Sequence, residues 1–240
     1  MKVIILAGGL GTRISEETYD KPKPMVLIDR FPMIWHLMNI FSIQGFKEFV
    51  IATGYKSEVI EHWVNEQSKR NSLNGWDVTI LNTGANTQTG GRIARCMKLY
   101  ENDSIMATYG DGLANINLSA LIDFHRSHGK LATVTAVRPP ARFGVLRLDN
   151  SLVTNFGEKD QSDSGWINGG FFVLEPEVID YIESDDEPFE SGALPKLVSE
   201  NQLMAYCHSG FWKPMDTLRE KIELQKYAQQ NIPPWLSGLI

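Results

Sequence analysis

Met1-Lys2-Val3-Ile4-Ile5-Leu6-Ala7-Gly8-Gly9-Leu10-Gly11-Thr12-Arg13 is the stretch that decides the fold. Residues 2–6 read as a short buried strand. Gly8, Gly9 and Gly11 then crowd into a turn, and Thr12 and Arg13 follow at once. A strand feeding such a loop presents consecutive backbone N–H groups, because glycine lets the backbone turn tightly and approach a ligand closely. That suits phosphate oxygens, and an arginine at the exit adds a charged bidentate donor. Ten residues on, Lys21-Pro22-Lys23-Pro24-Met25 supplies more positive charge. The prolines on both sides of Lys23 restrict its backbone.

Two well-known phosphate loops do not fit. A P-loop needs G-x-x-x-x-G-K-[ST], which the chain lacks. A dinucleotide fingerprint needs G-x-G-x-x-G. Gly9 and Gly11 fill its first two places, but Ile14 stands at the third, although Asp29 lies near the distance of a ribose-binding acid.

Working outward, strand and helix patterns alternate. Residues 32–44 read as helix, 49–52 as strand, 57–67 as helix, 78–81 as strand, 91–100 as helix, 105–108 as strand, 118–128 as helix and 131–137 as strand. This order predicts a mostly parallel, doubly wound sheet in a single domain spanning 1–240. Residues 145–148 and 152–156 read as a hairpin, 171–174 as a strand, and 176–183, 193–200 and 217–230 as helices. The acidic stretch 183–190 reads as a solvated loop, and Pro233-Pro234-Trp235 as a surface tail packing back through its indole.

The 240 residues carry a net charge of −6, with 42% hydrophobic and 10% aromatic residues. That is enough for a real core and argues against nucleic acid as a partner. Any phosphate must then be held by a few local cations. No apolar run reaches membrane-spanning length. The five apolar residues before the glycines are too few for a signal-peptide core. Cys96 and Cys207 read as free buried thiols of a reducing cytoplasm. His125 and His128 share a helix face, with no third metal ligand close in sequence.

Asp111 ends an apolar strand between Gly110 and Gly112, where a carboxylate can reach a metal beside a phosphate; an Asp-Gly turn is the alternative. Asp216 precedes a helix, where capping is its alternative role. Arg92 opens a helix, a mildly unfavourable place for a cation, so an anionic partner is one explanation.

Leu6-Ala7-Gly8-Gly9-Leu10-Gly11-Thr12-Arg13 together with Pro22-Lys23-Pro24-Met25 resembles the paired signature of the sugar nucleotidyltransferase family. Thr89-Gly90-Gly91-Arg92, Thr108-Tyr109-Gly110-Asp111-Gly112, Arg142-Phe143-Gly144, Ile167–Phe172 and Gly210–Thr217 resemble its cytidylyltransferase branch. The likeness runs over essentially the whole chain, with a shorter segment after Lys56. It implies a Rossmann-like fold of the nucleotidyltransferase type with a small hairpin subregion. It also implies CTP and a phosphorylated acceptor, glucose 1-phosphate or another sugar, polyol or amino-acid phosphate, as substrates of a homo-oligomer. Arg13 and Lys23 would be catalytic. Leu6, Ala7, Gly8, Gly9, Leu10, Gly11, Thr12, Thr87, Arg92 and Gly110 would bind the nucleotide, and Asp111 and Asp216 would hold Mg²⁺. Glu158, Lys159, Asn168 and Gly169 would bind the acceptor, although Asp160 replaces the proline of the family's Glu-Lys-Pro. A nucleotide-sensing protein without turnover is the reading from another class, and the presence of Arg13, Lys23, Asp111 and Asp216 argues against it.

Overall fold

The computed structural model describes all residues except 71, 74, 101–102, 140–143, 150 and 159–164, and the side chains of 144–149, 153 and 155–158 are also outside the description. The chain runs β1 (Val3–Ala7), α1 (Ser15–Thr18), β2 (Leu27–Ile28), β3 (Phe31–Pro32), α2 (Met33–Ser42), β4 (Glu48–Thr53), α3 (Ser57–Lys69), β5 (Asp77–Asn82) and α4 (Thr89–Met97). It continues through β6 (Ile105–Tyr109), β7 (Gly112–Ala114), α5 (Leu118–His128), β8 (Ala132–Val137), β9 (Gly144–Asp149), β10 (Leu152–Glu158) and β11 (Ile167–Leu174). The last elements are α6 (Ala193–Ser199), β12 (Leu203–His208), β13 (Trp212–Pro214) and α7 (Leu218–Ala228).

Seven strands form one sheet in the order β12-β8-β11-β6-β1-β4-β5. Only β11 runs antiparallel to its neighbours β6 and β8. The sheet is therefore doubly wound and mostly parallel, with β9 and β10 as a separate hairpin. Both faces are covered, as the continuous apolar run of β1 demands. Val3, Ile5 and Ala7 pack on one side with residues of α2, α5 and Trp235. Ile4 and Leu6 pack on the other with Ile93, Phe172, Phe189 and Leu197. The carboxyl ends of β1, β4, β5 and β6 and the amino end of β11 thus meet at one edge.

Several sequence expectations change. Residues 203–208 form a strand, β12, that the reading left unassigned; it pairs in parallel with β8 at the sheet edge. Residues 176–181 wind as a 3-10 rather than an α-helix. Cys96 is buried, whereas Cys207 on β12 is exposed; neither forms a disulfide. Burial raises the Cys96 thiol to about 12. Among the described residues, no helix is long and apolar enough to cross a membrane. Trp235 is fully buried, its ring against His36 and Phe211, so the tail is part of the core. His125 and His128 both bond Thr133, and His125 also bonds Glu175.

His36 bonds the Ile28 carbonyl at 2.9 Å, so its Nε2 carries the proton. Burial holds His36, His128 and His208 below the ordinary imidazole value of 6.5. A group that is harder to protonate in the fold stabilises the fold above its unfolded value, and that stability is lost as pH falls. Thermal melting should therefore drop on going from about pH 7.5 to about pH 5.5. His36→Gln, which keeps a donor for Ile28 but does not titrate, should flatten that slope. An unchanged slope would show that His36 does not contribute.

Candidate active site

β1 delivers Leu6 and Ala7 to the shared sheet edge, where the glycine loop begins. Gly11 sits at φ 65, in the left-handed region that glycine adopts without strain. Its carbonyl accepts from the Ile14 amide and from the Thr18 hydroxyl, both at 3.1 Å, which close the loop. The loop is shaped from below by Arg92. This arginine, four residues into α4, is buried. Its guanidinium donates to the carbonyls of Thr53 at 2.8 Å and Gly8 at 3.0 Å and to the Thr83 hydroxyl at 2.6 Å. A Cβ on Gly8 would lie 2.0 Å from Arg92 Nη1, so that position must be glycine for the guanidinium to reach the loop. Burial lowers the Arg92 pKa, as desolvation of a cation must.

The charged groups come together through a two-strand ribbon. β7 and β13 pair antiparallel, with Gly112 opposite Pro214, and the Met215 amide donates to the Asp111 carbonyl at 2.8 Å. This brings Asp111 and Asp216 side by side from distant parts of the chain. Thr217, not Asp216, caps α7; its hydroxyl accepts from Glu220 N, and Glu220 in turn accepts from the amides of Asp216 and Thr217. That leaves the Asp216 carboxylate for cations. Lys23 Nζ lies between the two acids, 2.7 Å from Asp111 Oδ2 and 2.6 Å from Asp216 Oδ1. Arg13 Nη1 binds the other Asp216 oxygen at 2.7 Å. Lys23 itself is buried, held in a short turn by the Met25 amide to the Pro22 carbonyl.

A cleft of about 1040 Å³ opens above this cluster. Its walls include Leu6, Ala7, Gly8, Gly9, Gly11, Thr12, Arg13, Lys23, Thr87, Arg92, Gly110, Asp111, Asn168, Gly169 and Asp216. Leu10 does not line it; that side chain is 56% exposed. Thr87 lines it, but its hydroxyl is spent on the Thr83 carbonyl. Arg92, for which an anionic partner is one sequence explanation, likewise spends its guanidinium on neighbouring carbonyls and one hydroxyl and is a buried brace. The Glu158 side chain and all of Lys159 lie outside the described residues.

The sequence assigns no role to several other groups that line the cleft. Lys213, on β13, pairs with Glu223, whose carboxyl that contact lowers. Tyr109 donates to Glu190 and accepts from Asn168. Glu190 belongs to the acidic stretch expected to be a solvated loop. That loop is instead tied to α4: Gln88 N donates to the Asp185 carbonyl at 2.8 Å and Gly90 N to that of Glu187 at 3.1 Å. Asp185 also pairs with Arg95, and Phe189 is fully buried. These carbonyls satisfy amides at the start of α4 that have no partner within the helix.

A strand-to-glycine-loop turn facing two carboxylates and two cations is the equipment of an enzyme that handles phosphate esters. Residues 2–230 match the family described as nucleotidyl transferase, and the chain belongs to that family of enzymes. It is 44% identical to the glucose-1-phosphate cytidylyltransferase of Salmonella typhi over 253 aligned positions, covering 98% of both chains. It is 40% identical to the probable glucose-1-phosphate cytidylyltransferase of Bacillus subtilis, covering 98% of this chain and 99% of that one. The 253 aligned positions exceed the 240 residues here, so the first relative carries residues that this chain lacks. Among solved structures, a putative glucose-1-phosphate thymidylyltransferase from Bacillus anthracis superposes with a TM-score of 0.73 at 21% identity over 98% of both chains, a likeness of fold.

If Arg92 is the brace of the glycine loop, Arg92→Met should cost about 2–4 kcal/mol, because it strands buried carbonyls. Arg92→Lys should recover only part of this, since one ammonium cannot fork across three acceptors. Denaturant unfolding measures both; a loss below about 0.5 kcal/mol for the methionine variant would rule the brace out.

Proposed function

We propose that the protein is a cytidylyltransferase that transfers CMP from CTP to a sugar 1-phosphate, glucose 1-phosphate first, with release of pyrophosphate. The observation that carries this reading is the cluster in which Lys23 is shared by Asp111 and Asp216 beside the glycine loop. The relatives named for glucose-1-phosphate cytidylyl transfer support the choice of base and acceptor.

In this reaction an oxygen of the acceptor's phosphate attacks the α-phosphorus. One P–O bond forms, the bond to the β-phosphate oxygen breaks, and pyrophosphate takes the electron pair. The acceptor phosphate is already anionic, so no proton need be removed and no covalent enzyme intermediate is required. Catalysis is then alignment and charge neutralisation. Loop amides from Gly8 to Thr12 cradle the phosphates. Arg13 and Lys23 neutralise the charge that grows on the leaving pyrophosphate, which favours the transition state over bound substrate. Asn168 and Gly169, at the start of β11, form the acceptor wall, and Glu158 and Lys159 are proposed to complete it.

Asp111 and Asp216 are hard oxygen donors converging on one point, a donor set that fits Mg²⁺. Bound there, the ion would supply Lewis-acid stabilisation of the α-phosphate. In the ligand-free protein these carboxylates are neutralised by Lys23 and Arg13. A divalent ion must therefore compete with an ammonium unless phosphate draws Lys23 away. Lys23→Met should tighten the binding of Mn²⁺ alone by about tenfold, read by electron paramagnetic resonance, while abolishing turnover. Weaker Mn²⁺ binding in that variant would contradict the shared-site arrangement. Asp111→Asn should lower kcat by on the order of 10² or more; near-normal turnover at saturating Mg²⁺ would remove Asp111 from the metal.

Base choice gives a separate check. A site that hydrogen-bonds the exocyclic amine of cytosine rejects its absence strongly. Pyrophosphate release should be fastest with CTP in a screen of nucleoside triphosphates; equal rates with UTP and dTTP would leave the transferase but remove the cytidylyl assignment.

A further inference from the structure

Glu190 lines the same cleft but takes no part in the cluster of Arg13, Lys23, Asp111 and Asp216. Its two oxygens are held by hydroxyl groups from different walls. Tyr109, at the carboxyl end of β6, donates to Oε1, and Thr89, at the start of α4, donates to Oε2 at 2.7 Å. Each of those hydroxyls is itself oriented. The Phe189 amide donates to Thr89 Oγ1 at 2.8 Å, and Asn168 Nδ2 donates to the Tyr109 oxygen at 3.0 Å. The Gly170 amide donates to Asn168 Oδ1 at 2.8 Å, which sets the amide's orientation. Every donor in the chain is directed, and all of it ends on Glu190. Burial, and next the neighbouring Glu190 charge, raise the Tyr109 phenol, which therefore stays protonated as a donor.

Among the described residues Glu190 forms no ion pair, and it is exposed to the cleft that it lines. A carboxylate has about four acceptor positions, and two are used. The remaining two, one on each oxygen, suit a pair of hydroxyl donors and repel a second anion. Through Tyr109 this carboxylate is linked to Asn168, which the functional reading assigns to the acceptor wall.

We propose that Glu190 selects the acceptor, taking hydrogen bonds from the hydroxyls of an otherwise uncharged sugar phosphate and excluding acceptors that carry a further anionic group. The inference rests on the cytidylyl-transfer reading above and narrows its acceptor class to neutral sugar phosphates.

Steady-state pyrophosphate release with CTP, comparing glucose 1-phosphate with glucuronic acid 1-phosphate, tests it. The second compound carries a carboxylate in place of the C6 alcohol. Wild-type protein should prefer glucose 1-phosphate. In Glu190→Gln the ratio of the two kcat/KM values should fall by about tenfold or more, with the KM for CTP changed by less than about twofold. Glu190→Asp, which keeps the charge but withdraws it, should retain discrimination against the acid while losing kcat/KM for glucose 1-phosphate. An unchanged ratio in Glu190→Gln, with glucose 1-phosphate still used, would overturn the Glu190 assignment alone. A change confined to the choice between CTP and UTP would also overturn it, by placing Glu190 at the base. No turnover of either phosphosugar by wild type would overturn the functional reading and this inference with it.

Discussion

Neighbouring parallel strands end at the same edge of the sheet, and their last carbonyls point beyond the ladder with no strand to pair. Here those of Gly8 and Thr53 converge with the Thr83 hydroxyl on the single guanidinium of Arg92. One buried cation thereby ties the exits of β1 and β4 and the loop after β5 to α4. The arrangement fixes the floor of the glycine loop. It also explains why the helix opens with two glycines, since a Cβ on Gly90 or Gly91 would strike the backbone of the 183–190 loop docked against it.

Above that floor the cleft is organised by balance of charge. Two cations from the N-terminal segment meet two carboxylates from distant parts of the chain, so the cluster is locally neutral in the ligand-free protein. Lys23 is placed by a proline-flanked turn, Arg13 by the loop exit, and the two aspartates by the β7–β13 ribbon. Binding a metal–nucleotide complex would exchange partners within this set: carboxylates turn to the ion and cations turn to phosphate. Little charge then has to be desolvated at the moment of binding, which is how a protein of net charge −6 can accommodate a polyanion.

The opposite wall obeys a different rule. Tyr109 and Thr89 spend their hydrogens on a single carboxylate, and Asn168 donates to the Tyr109 oxygen behind it, so this part of the cleft offers acceptors where the floor offers donors. A sugar phosphate bound as proposed would meet donors at its phosphate end and acceptors at its hydroxyl end.

Much of this was legible in the residue order. The β1 run, the glycines after it and the βα alternation dictated a doubly wound sheet, because a strand apolar at every position must be covered on both faces. The same logic placed Asp111 at the sheet edge beside the glycine loop. Short elements were not legible: β12 alternates poorly and gains its ladder only from β8, and the three-residue strands β7 and β13 exist only because they find each other. What tertiary structure alone decided was the fate of the polar groups. Arg92 reads as a cation awaiting an anionic partner and is a buried brace on backbone carbonyls; the 183–190 stretch looks solvated and docks on α4; Glu190 within it becomes a cleft carboxylate. Local sequence sets strand and helix through backbone geometry and apolar periodicity, which act over a few residues. The partner of a charge is set by which distant segments the packed sheet brings within hydrogen-bond reach, and for Lys23 and Asp216 that partner is 193 residues away.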